Sequence, residues 1–149
     1  MYKCKCRARL VLLLILSVLF SSSLTGCASS VSYKNSIFSA VETHQATLLV
    51  DIAKNDFTES LSIPPIESAN VLENCVSFDC GGHGISTSSH EFGFYYSYDD
   101  QPLGVWGQME FCSSEALTVS GNGFSGDLQN NLYYTEKICD YFWYYELHF

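Results

Sequence analysis

Six side chains between residues 79 and 100 are of the types that do chemistry: Asp79, His83, His90, Glu91, Asp99 and Asp100. Imidazoles with carboxylates are zinc-ligand chemistry, and carboxylates with carbonyl oxygens are calcium chemistry, so a divalent-metal site is one expectation for this group. The spacing argues against assigning one. There is no HExxH pair, and Gly121–Asn131 does not match the EF-hand pattern. Aspartates in turns, moreover, bond to nearby backbone without any metal. Cys80 beside His83 or His90 is a possible thiol–imidazole pair, with Gly81-Gly82 as a source of N–H groups for an oxyanion. The surroundings of known cysteine proteases are missing, as are a GxSxG serine and a phosphate loop. No residue is therefore assigned as catalytic or metal-ligating, and no cofactor is expected.

The aromatics offer different chemistry. Along the closing run, Tyr141, Trp143, Tyr145, Leu147 and Phe149 share one face of an extended chain, and Asp140, Phe142, Tyr144, Glu146 and His148 share the other. Tyrosine and tryptophan beside carboxylates suit sugars, whose C–H faces pack on rings while their hydroxyls bond to Asp and Glu. The expectation is a non-catalytic module binding a glycan or cell-wall polymer, with Tyr95, Tyr96, Tyr144 and Glu146 as surface contacts. Ordinary packing of a tyrosine-rich sheet under a helix accounts for the same pattern.

The elements that must position these residues change character along the chain. Residues 28–80 contain no glycine and residues 81–149 contain nine, the contrast between a helical and a turn-rich half. Ile37, Val41, His44, Leu48 and Ile52 recur at helical spacing, with Ser36 or Ser39 as N-cap. A short turn is expected at Asp56–Leu61, and Pro64-Pro65 ends all helix. Val76, Phe78 and Cys80 then alternate as a strand and Gly81–Gly84 reads as a loop. Phe92–Tyr98 is the next strand, turned at Asp99–Pro102 into a hairpin partner at Leu103–Cys112. Ala116–Ser120 is a short strand, Gly121–Asn131 a loop and Lys137–Phe149 the closing strand. The sum is an α+β fold, an N-terminal helix packed on a four- to five-stranded antiparallel sheet.

The first 26 residues predict where this domain resides. Lys3, Lys5, Arg7 and Arg9 precede an apolar run, Leu10–Phe20, and then Ser21–Ser23, the order of an export signal. Leu24-Thr25-Gly26-Cys27 resembles the lipobox of bacterial lipoproteins. That resemblance implies removal of residues 1–26 and a covalent diacylglycerol on Cys27, with residues 27–35 as a tether and 36–149 as one domain. The implied place is the extracytoplasmic face of the bacterial cell membrane, with the lipid anchor as the membrane contact. Gly93–Ser97, Asp99–Pro102 and Tyr134–Ile138 resemble segments of small envelope lipoproteins of Gram-positive bacteria, a likeness that brings no known activity. A structural or interaction subunit of an envelope protein complex is the alternative to a glycan-binding module.

Of the seven cysteines, Cys75, Cys80, Cys112 and Cys139 lie beyond the lipobox, an even number consistent with up to two disulfides in an exported domain. The same region holds three lysines and no arginine against sixteen carboxylates. Such a surface repels nucleic acid, which is excluded as a partner.

Overall fold

The apolar spacing through Ile37, Val41 and Leu48 does form a helix, α1 (Ser30–Lys54), which buries Ile37, Ala40, Val41, Leu48 and Asp51. These are the features of a computed structural model that describes residues 30–85, 88–106, 110–112, 117–128 and 131–149. Residues 1–26 and Cys27 lie outside the described residues. The chain divides into two units, Met1–Ser32 and Tyr33–Phe149, and the second holds every strand and all but the first turn of the helix. The helix starts at Ser30 rather than at Ser36, so part of the expected tether is helical. His44, expected on the buried face, is exposed. Its φ of −113° and ψ of 15° kink the helix and turn its side chain off the apolar stripe. Lys54 in the last turn complements the negative end of the helix dipole. A 3-10 turn, Ser60–Ser62, follows. It is tied to the helix by buried Asp51, whose Oδ2 accepts from both the backbone N–H and the Oγ–H of Ser60 at 2.7 Å.

The rest is β: β1 (Ser68–Val71), β2 (Cys75–Ile85), β3 (Ser88–Ser97), β4 (Gly104–Trp106), β5 (Glu110–Cys112), β6 (Thr118–Ser120), β7 (Gly123–Leu128), β8 (Asn131–Cys139) and β9 (Phe142–His148). The fold is α+β, but the antiparallel sheet has seven strands rather than four or five, in the order β1-β2-β3-β9-β8-β7-β6. Among the described residues β4 and β5 pair only with each other. Leu103–Cys112 is thus not the partner of β3, which lies between β2 and β9.

Two of the additional pairings run through glycine. β2 continues through Gly81 and Gly82 by a bulge, where the register steps from Asp79↔Gly93 to Gly82↔Glu91. Gly81 has φ +79°, and the Asp79 carboxylate accepts its N–H at 2.9 Å. β7 starts at Gly123 inside the expected loop. The expected closing strand is two strands, because the chain reverses at Asp140-Tyr141, with Tyr141 at φ +67°. Asp100 holds that turn by accepting the Tyr141 N–H at 2.8 Å.

Both faces of the sheet are covered at its centre. Val76, Phe78, Cys80, Phe92, Phe94, Phe142 and Tyr144 pack with Ile37, Val41 and Leu48 of the helix. On the other face Cys75, Tyr95, Tyr133, Trp143, Tyr145 and Leu147 form a second cluster with Leu103.

Candidate functional site

Antiparallel register aligns three histidines across neighbouring strands, His83 on β2, His90 on β3 and His148 on β9. The His83 and His90 rings stack with centroids 4.8 Å apart, and His90 meets His148 edge-on at 4.2 Å. Tyr33, near the start of α1, lies over this row, stacked on Phe92 at 4.8 Å and on His83 at 5.9 Å. Glu146 answers one imidazole, its Oε1 standing 3.2 Å from His148 Nε2. Its Oε2 accepts the Tyr144 hydroxyl at 2.8 Å.

Next to this row a cavity of about 290 Å³ is lined by Asp79, Gly81, Gly82, His83, Gly84, Ser89, His90 and Glu91. It lies where β2 has run past β1, since β1 pairs only with Val76–Asp79. His90 and Glu91 are adjacent in β3 and so project to opposite faces of the ribbon. Each carries a buried polar atom without a hydrogen-bond partner among the described residues, His90 Nδ1 and Glu91 Oε2. Such atoms are uncommon in folded proteins. Burial, with the Asp79 charge in addition, raises the Glu91 pKa. Burial, then the neighbouring His148 and His83, lowers that of His90 against the pull of Glu146. Both groups are thus shifted toward their neutral forms. The glycines keep the rim low: a Cβ on Gly81 would meet Glu67 Oε1 at 2.6 Å, and one on Gly82 would meet the His90 carbonyl oxygen at 2.1 Å.

The structure divides the six polar residues singled out in the sequence. Asp79, His83, His90 and Glu91 come together at the cavity, whereas Asp99 and Asp100 lie beyond the far end of β3. There Asp99 accepts from Ser97 Oγ at 2.8 Å and from the Gln101 N–H at 3.2 Å, as a turn aspartate does. Asp100 bonds to Lys137, Tyr141 and Trp143. Among the described residues no three His, Cys, Asp or Glu side chains are arranged to hold a metal ion.

Of the four expected ligand contacts, Tyr95 and Tyr144 are fully buried and are not surface residues. The correction has one cause: alternation shows that the closing run has two aromatic faces, but not that a second layer covers each of them. The Tyr95 hydroxyl accepts the Leu103 N–H and bonds to Thr135 Oγ1, both at 2.9 Å, and Thr135 Oγ1 donates to the Tyr144 carbonyl at 2.7 Å. This network fastens the segment before β4 to the sheet. Glu146 is half-buried under the histidine row, and Tyr96 is half-buried at the other end of β3. There Tyr96 stacks on exposed Tyr141 at 5.6 Å and meets exposed Tyr98 at 6.1 Å.

Cys75, Cys80 and Cys139 are free thiols, so no expected disulfide is formed among them. Cys75 and Cys80 sit in different clusters on opposite faces of the sheet, too far round the strand to bridge. The side chain of Cys112 lies outside the described residues. Burial first, then the charges of Asp79 and Glu67, pushes the Cys80 thiol well above its ordinary pKa, the reverse of what a thiolate nucleophile needs.

Sequence reasoning missed His148 and Tyr33. His148 was legible only as the next position after Glu146 on its strand face, and Tyr33 fell in the expected tether. No protein-family model, curated protein or solved structure matches the chain.

Proposed function

We propose that the chain is a lipid-anchored extracytoplasmic lipoprotein whose domain is a non-catalytic module for a glycan or cell-wall polymer, bound at the β2–β3 cavity. One observation carries the reading: two adjacent residues of β3, His90 and Glu91, each border the cavity and each hold a buried polar atom without a partner among the described residues. Hydroxyl groups suit each of these atoms on its own face of the ribbon, since a hydroxyl both donates and accepts. The lining has no lysine or arginine to receive an anion. Ser89 adds a hydroxyl, and the glycines at positions 81, 82 and 84 let a ligand approach the backbone. The anchor rests on Leu24-Thr25-Gly26-Cys27 and its resemblance to the lipobox.

The test is thermal unfolding of the purified protein with cell-wall glycan fragments, in the natural sequence and in Glu91→Gln and His90→Ala. A ligand that binds only the folded state raises the melting temperature. A rise that both variants lose supports the site, and a rise they keep removes it.

An interaction subunit of an envelope complex is the second reading. It draws on the Tyr98 and Tyr141 side chains, 46% and 43% exposed and grouped with Tyr96, because tyrosine is enriched in interfaces. Photo-cross-linking from position 98 on intact cells tests it, with position 89 at the cavity as the control.

A further inference from the structure

Lys34, one residue after Tyr33, places its ammonium against Glu136 Oε2. Three aromatic rings surround the same ammonium, with centroids 5.4 Å away for Phe38, 5.4 Å for Tyr134 and 5.6 Å for Tyr144. The pair is part-buried, and a lysine–carboxylate pair needs no rings in order to form. Several ring faces around one cation, closed by a carboxylate, form the arrangement by which proteins take up amines.

The walls come from three elements, and two of the three rings and the carboxylate are held by hydrogen bonds that do not involve the lysine. Tyr134 donates its hydroxyl to Glu136 Oε2 at 2.6 Å, and Tyr144 donates to Glu146 Oε2 at 2.8 Å. Tyr144 is fully buried, and the Glu136 side chain is 12% exposed. The Lys34 side chain is 31% exposed, so solvent reaches the caged lysine. A lysine ammonium rides on a flexible four-carbon stem, so leaving the cage does not require the helix to unwind.

We propose that Phe38, Tyr134, Tyr144 and Glu136 form a binding site for the primary ammonium group of a ligand, and that Lys34 is the intramolecular competitor for it. The residues are distinct from those lining the β2–β3 cavity, so the proposal stands or falls separately from the glycan reading. A primary amine is favoured over a quaternary one because it has N–H groups to give to Glu136, whereas a quaternary ammonium has only its charge. A tethered group competes at an effective concentration of about millimolar or above. Removing it therefore raises the affinity for a ligand amine, by about tenfold where the lysine's own dissociation constant lies about ten times below that effective concentration.

The experiment follows the Tyr ring resonances and the melting temperature of the full chain while methylammonium chloride is added, with sodium chloride and tetramethylammonium chloride as controls at equal ionic strength. In Lys34→Ala, methylammonium is expected to shift the ring resonances and raise the melting temperature more than either control. The natural protein is expected to need about tenfold more of it. The response is expected to disappear in Lys34→Ala/Glu136→Gln. Lys34→Met, which keeps the aliphatic stem over the rings, replaces Lys34→Ala in the same titration should the alanine variant not fold. No effect of methylammonium beyond sodium chloride in a folded lysine variant overturns the proposal, and so does a response that survives Glu136→Gln.

Discussion

Asp51 and Glu91 are both acidic side chains withdrawn from water, and they differ in what answers them. Asp51 receives two hydrogens from Ser60, one from backbone and one from the hydroxyl. Replacing it by alanine strands both buried donors and is expected to cost about 1–3 kcal/mol, with asparagine losing less because it keeps an acceptor. Urea unfolding of the two variants measures the difference. Glu91 Oε2 has no partner among the described residues, and burial raises its pKa. A carboxyl of raised pKa contributes stability below its ordinary titration range, near pH 4.5, and loses it as pH rises through the folded value. Above that range the raised value costs stability, so Glu91→Gln is expected to keep or raise stability while losing the ligand. Asp79, His83, His90 and Glu91 were legible as a polar group because all four lie within thirteen residues of sequence. Asp99 and Asp100 were not separable from them, since only the direction of β3 carries them to the opposite end. Asp51 carried no signal, as its partner Ser60 is brought near by a bend in the chain.

Between residues and fold, glycine was the main source of misreading. Runs such as Gly81–Gly84 and Gly121–Asn131 have loop composition, yet parts of both are strand. Gly93 shows why such strands hold: a Cβ there would stand 2.6 Å from the Tyr145 ring and 2.3 Å from the Phe78 carbonyl oxygen. The Tyr145 ring lies across the glycine and covers the backbone that a side chain would otherwise cover. Gly93→Ala is expected to cost about 2–3 kcal/mol through overpacking, measured as a lower denaturation midpoint at unchanged slope. The reversed case is Tyr141, a turn residue at φ +67° without glycine or proline to announce it. The Asp100 carboxylate, forty-one residues earlier, makes that turn by accepting the Tyr141 N–H, which no local reading of the sequence can find. The helix was legible from its apolar spacing and Pro64-Pro65 from its chemistry, because both signals are local.

Across the whole molecule, the two covered faces of the sheet account for its pH limits. Burial pushes the Tyr95 hydroxyl up to about 12 and raises Tyr133 well above its ordinary value. Groups with raised folded values keep their full contribution below pH 10, where unfolded tyrosines begin to ionise, and lose it as pH climbs toward the folded values. Stability is therefore expected to fall steeply between about pH 10 and 12, and less steeply in Tyr95→Phe. At the other end His90 has a lowered value, so its contribution is full above pH 6.5 and declines as acid protonates the unfolded chain first. Melting temperatures across the pH range read both limits. The proposed anchor is tested on the whole chain. Labelling with a clickable fatty acid is expected to mark the natural protein and to fail in Cys27→Ser, which should leave the membrane fraction; label retained by the variant would remove the lipobox reading.

Whether the cavity of Asp79, His83, His90 and Glu91 takes a ligand is read by calorimetric titration of cell-wall glycan fragments into the natural protein and folded Glu91→Gln. Saturable heat is expected with at least one fragment in the natural protein, and its loss in the variant. Equal heats in both proteins, or none in either, would contradict it.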